Sequence, residues 1–168
     1  PTDSHDVVDE FGNKIKFILD GGRSGIGLES TVVNLIGKIK ILRPGAISKK
    51  EISKILNKKI TFIKSNKIKK VISPGLLKLH YSPGIPIQLN CRRNDNKAAF
   101  IVLGKKYKNS KNLFNLSKKN DLKEAAKKLY KIFRKIKKLK YKKIRVVKIP
   151  NRGIGVAIND RLKKASYK

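Results

Sequence analysis

Asp121-Leu-Lys-Glu-Ala-Ala-Lys-Lys-Leu-Tyr-Lys-Ile-Phe-Arg-Lys-Ile-Lys-Lys-Leu139 spells out one long amphipathic helix. Asp121 with Glu124 three residues on is a helix-start signal, because carboxylates satisfy N–H groups that the first turn leaves free. Leu122, Ala125, Ala126, Leu129, Phe133, Ile136 and Leu139 recur at three- and four-residue steps and so share one face. Working outward, Ala98–Leu103 and Ile85–Leu89 read as strands before the helix. Lys143–Ile149 reads as a strand after it, and Gly153–Ser166 as a closing helix. Strand, helix, strand, helix in this order predicts a small parallel α/β layer.

Further upstream the texture changes. Ser73 to Pro86 holds three of the six prolines together with Gly75 and Gly84, and proline disfavours helix at and before its own position. This stretch reads as an ordered linker, preceded by a polar, basic segment from Lys64 to Lys70. Ser48-Lys-Lys-Glu51 is a capping-box pattern opening a helix to about Asn57. Ser30–Ile36 and Lys38–Arg43 read as a hairpin turning at Gly37 and ended by Pro44-Gly45. Thr2 to Phe11 reads as a short helix with Thr2 as its N-cap. Ile15–Leu19 reads as a strand leading into the Gly-rich turn Asp20–Gly27. The expected division is 1–72, a linker at 73–86, and 87–168.

The chain has 168 residues, about one domain's worth, and 39% are hydrophobic, enough for a modest core. Against 11 acidic residues stand 43 Lys and Arg, a formal net charge of +32. One reading is a polyanion partner such as tRNA or a nucleotide. The other is a general lysine bias, which the even spread of Lys along the chain favours. Cys91 is the single cysteine, so no disulfide closes within the chain and a cytoplasmic protein is expected. No apolar run approaches the ~18 residues of a membrane span, and no signal peptide is visible. Met is absent and the chain opens on Pro1-Thr2-Asp3, so the N-terminus is expected to be processed or cut from something longer.

Several segments carry candidate chemistry. Glycines in Asp20–Gly27 let backbone N–H groups approach a phosphate, but the spacing matches neither of the common phosphate-loop patterns, and a plain loop is the simpler reading. Ser30, at the mouth of a strand, suits a small polar ligand. Arg43, at a strand end, suits a bidentate grip on phosphate. Tyr81, in the linker, offers a ring to stack on a base. His5 and His80 are the only histidines, with no Cys at ligand spacing, so no zinc site is expected. The basic run Lys127–Lys143 reads as a nucleic-acid track or, more simply, as a solvated helix face.

Taken in order, these motifs resemble a known family. Pro1-Thr2, His5-Asp-Val7, Ile18-Leu-Asp20-Gly-Gly22, Gly27-Leu-Glu29-Ser-Thr-Val-Val33 and Ile41-Leu-Arg-Pro-Gly45 are similar to the C-terminal half of a YrdC-like domain. Ser73-Pro-Gly75 and His80-Tyr-Ser-Pro83 resemble the linker of the long L-threonylcarbamoyl-adenylate synthases. Asn115-Leu-Ser117, Leu122-Lys-Glu-Ala-Ala126 and Gly153-Ile-Gly-Val-Ala-Ile-Asn-Asp-Arg-Leu162 resemble their second domain. The fold implied is α/β: a partial YrdC-like domain followed by a small Rossmann-like three-layer domain. The activity implied is adenylyl transfer from ATP, a nucleotidyltransferase reaction in which threonine and bicarbonate yield threonylcarbamoyl-AMP and pyrophosphate. Mg2+ would be held mainly by the substrate, and the product would pass to tRNA-modification proteins downstream. The resemblance assigns Ser30 to L-threonine and Arg43 and Tyr81 to ATP, and names no catalytic side chain and no protein metal ligand. It also implies a preceding half with a Lys/Arg cluster for the triphosphate and a Ser-Ala-Asn segment, so the isolated chain is expected to be inactive. The alternative is a non-catalytic basic α/β module that binds nucleotide or RNA.

Overall fold

The computed structural model describes residues 1–63 and 81–166. Readings placed on Lys64–Lys70, Ser73–Gly75 and His80 fall outside these residues. The first unit starts with helix α1, Ser4–Phe11, running into a 3-10 turn at Gly12–Lys14. Its cap is Asp3, not Thr2: the Asp3 carboxylate accepts the Asp6 N–H at 3.0 Å. Thr2 instead donates its N–H and hydroxyl to the Asp6 carboxylate, each at 2.7 Å.

Strands β1, Val32–Asn34, and β2, Lys40–Arg43, form the expected antiparallel hairpin, with a register shift between Val32 and Val33. Gly37 turns it with φ +67°, a left-handed conformation that favours glycine. Helix α2, Lys49–Ile55, carries the full capping box: Ser48 Oγ accepts from Glu51 N, and Glu51 Oε2 accepts from Ser48 N at 2.8 Å. It stops two residues short of Asn57. Strand β3, Thr61–Phe62, adds to the expected hairpin and pairs parallel to β2. Ile15–Leu19 is not a strand. Phe17 and Leu19 are 91% and 99% exposed, and no ladder forms there to hold the segment extended.

The second unit is a parallel sheet in the order β4-β7-β5-β6. Its strands are β4, Ile87–Gln88; β5, Ala99–Val102; β6, Leu113–Asn115; and β7, Ile144–Val146. β5 is buried at every position, as a central parallel strand must be. Helix α3, Leu122–Lys138, is capped by Asp121, which accepts from Lys123 N and Glu124 N. Its buried stripe includes Ile132, and it ends before Leu139, which is 53% exposed. Helix α4, Gly155–Ala165, closes the unit. The α/β class with a parallel sheet is as the sequence predicts.

One residue of the first unit enters the core of the second. Leu28, from the Gly-rich loop, is buried among Ala125, Ala126, Leu129 and the sheet residues of the second unit. Gly27, with φ +75°, lies so close to α3 that a Cβ there would sit 2.6 Å from the Lys127 Cα. The Gly-rich loop thus uses Gly27 for close packing on a helix, in keeping with the plain-loop reading.

Candidate functional site

Residues 29–31 and 43–47 are stitched side by side. Arg43 Nε donates to the Ser30 carbonyl at 3.0 Å, and Arg43 Nη2 to Ser30 Oγ at 3.3 Å. Thr31 Oγ1 donates to the Ile47 carbonyl at 2.7 Å. A Cβ on Gly45 would fall 2.2 Å from Thr31 N, so only glycine lets the two segments approach this closely. Tyr81, the first described residue of the linker, has φ +66° and is half-buried. Burial pushes its hydroxyl above the usual tyrosine range, while Arg161, Glu29 and Arg43 all lie near enough to act on it. Ser30, Arg43 and Tyr81, from three separate segments, therefore share one neighbourhood.

The centre of that neighbourhood is a pair that sequence reading did not single out. Arg161, on α4, is fully buried, with 0% exposure. Its Nε donates to Glu29 Oε2 at 2.8 Å, its Nη1 to the Pro44 carbonyl at 2.7 Å and to Asp160 Oδ2 at 2.8 Å, and its Nη2 to the Glu29 carbonyl at 3.3 Å. The guanidinium also stands over the Tyr81 ring, 5.2 Å from its centroid, in cation–π range. Tyr130, on α3, donates its hydroxyl toward both Glu29 carboxylate oxygens, at 3.0 and 3.2 Å. Burial works to raise the Glu29 carboxyl, but the Arg161 hydrogen bond and charge hold it below the ordinary value. Burial and then the Glu29 charge push the Tyr130 hydroxyl far up, so it stays a donor.

One signal for Arg161 was present in the sequence. Ala157, Ile158, Leu162 and Ala165 form the buried face of α4, and Arg161 falls on that face. A charge in the middle of an apolar stripe calls for a buried partner.

Beside this cluster lies a cleft of about 810 Å³, a size suited to a small molecule. Its walls include Thr2, Asp6, Glu29, Tyr81, Tyr130 and Arg134. Ser30 and Arg43 are not among its lining residues and adjoin it through Glu29 and Tyr81. The outer face of α3 is not simply solvated: Arg134 bonds Asp6 and Thr2, and Lys138 Nζ meets Asp9 at 2.6 Å. His5 is exposed on α1 and away from these contacts. Among the described residues no group of three or more His, Cys, Asp or Glu is placed to hold a metal ion, and no helix is long and apolar enough to cross a membrane.

Residues 47–166 match the family described as threonylcarbamoyl-AMP synthase, C-terminal domain. The chain belongs to that family. Residues 1–45 match a second family, described as telomere recombination. The chain is 27% identical to the threonylcarbamoyl-AMP synthase of Pyrococcus abyssi over 99% of its own length and 54% of the relative's. It is 33% identical to the Bacillus subtilis synthase over 61% of this chain and 30% of that one, and 38% identical to the Schizosaccharomyces pombe synthase over 53% and 24%. The chain thus spans about half the length of the archaeal relative and less of the other two. The solved structure of P. abyssi Sua5 complexed with L-threonine superposes with a TM-score of 0.84 at 27% identity, covering 99% of this chain and 54% of that one. A P. abyssi variant in which a His and the Tyr after it are replaced by Ala superposes with a TM-score of 0.82. The threonylcarbamoyl-AMP synthase family fold is therefore shared across both sheets.

Proposed function

We propose that this chain forms part of a cytoplasmic threonylcarbamoyl-AMP synthase that makes the activated precursor for tRNA threonylcarbamoyl-adenosine. In this reading, threonine and bicarbonate give a carbamate whose carboxylate attacks the α-phosphorus of ATP, and pyrophosphate leaves. Catalysis then consists of positioning and charge neutralisation, and needs no protein nucleophile. Ser30 contacts L-threonine, and Arg43 and Tyr81 contact ATP, the Tyr81 ring excluding water as part of a linker that closes over the nucleotide. The observation that carries the reading is the convergence of these three residues on the Glu29–Arg161 pair beside a cleft of ligand size. The match to a threonine-bound relative supports it. So does a His-Tyr pair, since His80-Tyr81 is the only one in this chain.

Magnesium belongs with the nucleotide in this scheme. Of the four cleft acids, Asp6, Asp9 and Glu29 are engaged by Arg134, Lys138 and Arg161, which leaves Glu10; the described side chains therefore do not fit a protein-held ion, and no step is routed through one. The division into 1–72, 73–86 and 87–168 places the linker between the two sheets. We further propose that the chain alone does not turn over, since it spans about half the length of its archaeal relative.

The test is pyrophosphate release from a polypeptide of the archaeal relative's full length that contains this chain (the intact polypeptide), with threonine and bicarbonate each left out in turn. Release that depends on both supports the assignment, and Arg43→Ala should then abolish ATP binding. The net charge of +32 favours one competing outcome, a non-catalytic module for nucleotide or RNA. No release, with salt-sensitive RNA binding that no single substitution removes, would establish that module instead.

A further inference from the structure

We propose that Arg161 is the positioning residue through which the second unit sets the geometry of the ligand site, a role that rests on the functional reading above. Ser30 directly follows Glu29, and Arg43 directly precedes Pro44. The Arg161 guanidinium bonds the Glu29 carboxylate, the Glu29 carbonyl and the Pro44 carbonyl, and faces the Tyr81 ring. One rigid fork thus fixes the backbone beside each of the two polar ligand contacts and the ring of the third. Its own orientation is fixed in turn. Asp160 accepts from Nη1 and is itself held by Lys164 at 2.8 Å, while Tyr130 holds Glu29 from the opposite side.

The shape of the side chain matters here as much as its charge. A guanidinium has five N–H donors in a plane, enough to serve four acceptors at once while its face lies on an aromatic ring. A lysine ammonium has three donors and no flat face. Arg161→Lys can therefore keep the charge opposite Glu29 yet cannot span both carbonyls and stack on Tyr81. Arg161 touches no reacting atom in this scheme. It supplies the preorganisation that a site built from loop segments lacks, and it gives the family's second domain a function in the reaction.

Two measurements on Arg161→Lys and wild type test this together. The first is backbone amide exchange in the chain itself. Faster exchange at residues 29–31 and 43–46 is expected, with β5 and β7 unchanged. The second is steady-state kinetics of the intact polypeptide. An ATP KM raised about tenfold is expected, with a change in kcat smaller than the change in KM. A folded variant with wild-type exchange at 29–31 and 43–46 overturns the proposal. So does faster exchange there with unchanged kinetics in an active enzyme, because Arg161 would then be a structural latch only. If the wild-type polypeptide releases no pyrophosphate, the synthase reading falls, and the exchange result alone decides whether Arg161 orders these segments. If Arg161→Lys does not fold, Tyr130→Phe removes the opposite restraint on Glu29 without touching the buried charge pair. Faster exchange at 29–31 in that variant supports the arrangement, and wild-type exchange overturns it.

Discussion

Exchanging Glu29 for Gln removes one of the two carboxylates that balance a guanidinium closed off from water, leaving Asp160. Breaking a buried pair from one side typically costs about 3–5 kcal/mol. Glu29 keeps 33% of its side chain exposed, so solvent screens part of this and a loss of about 2–3 kcal/mol is expected in urea unfolding of Glu29→Gln. The same pair carries a pH signature. The folded Glu29 carboxyl lies below its ordinary value of 4.5, so its stabilisation is complete above that pH and is lost as pH falls through the lower folded value. Asp6, lowered by its Thr2 hydrogen bonds and Arg134 against the pull of burial, behaves the same way. The thermal midpoint should drop on acidification, and should drop less in Glu29→Gln than in wild type. Gly27→Ala meets two costs together, a left-handed backbone and a 2.6 Å contact with Lys127 Cα. A destabilisation of about 2–4 kcal/mol is expected by the same unfolding measurement.

At the scale of elements, local signals were readable and distant ones were not. The Ser48–Glu51 box and the Asp121 cap are each written within four residues, and both form. Asp121→Ala should cost about 1 kcal/mol in urea unfolding, because it strips the acceptor from two N–H groups of α3. β3 and β6 are made strands by their parallel partners β2 and β5, contacts that no local pattern announces. Ile15–Leu19 failed for the converse reason: it has a strand's composition and no ladder. Ser30, Arg43 and Tyr81 become candidates chiefly through resemblance, since their residue types alone are common. Arg161 was legible only as an anomaly on an apolar helix face, and its partner lies 132 residues away, beyond any sequence window.

At the scale of the molecule, the first unit is thinly buried. Ile41 and Leu42 of its sheet and Ile60 just before β3 join the buried set, while Phe17, Leu19, Leu35 and Ile36 stand in the open. Single exposed apolar side chains are ordinary, but this many on one half-sized unit favour association. Sedimentation of the chain should show concentration-dependent self-association. The double change Phe17→Ser and Leu19→Ser should reduce it without lowering the unfolding midpoint, since those two side chains bury almost nothing.

The tie between Glu29 and Arg161 also sets a clock. A ribosome adds roughly 5–20 residues per second, so the 132 residues between the two take roughly 7–26 s to make. Throughout that interval the loop bearing Ser30 has already been made, while the guanidinium that orders it does not yet exist. The nascent site is thus born unassembled, and it becomes whole only when α4 emerges and docks.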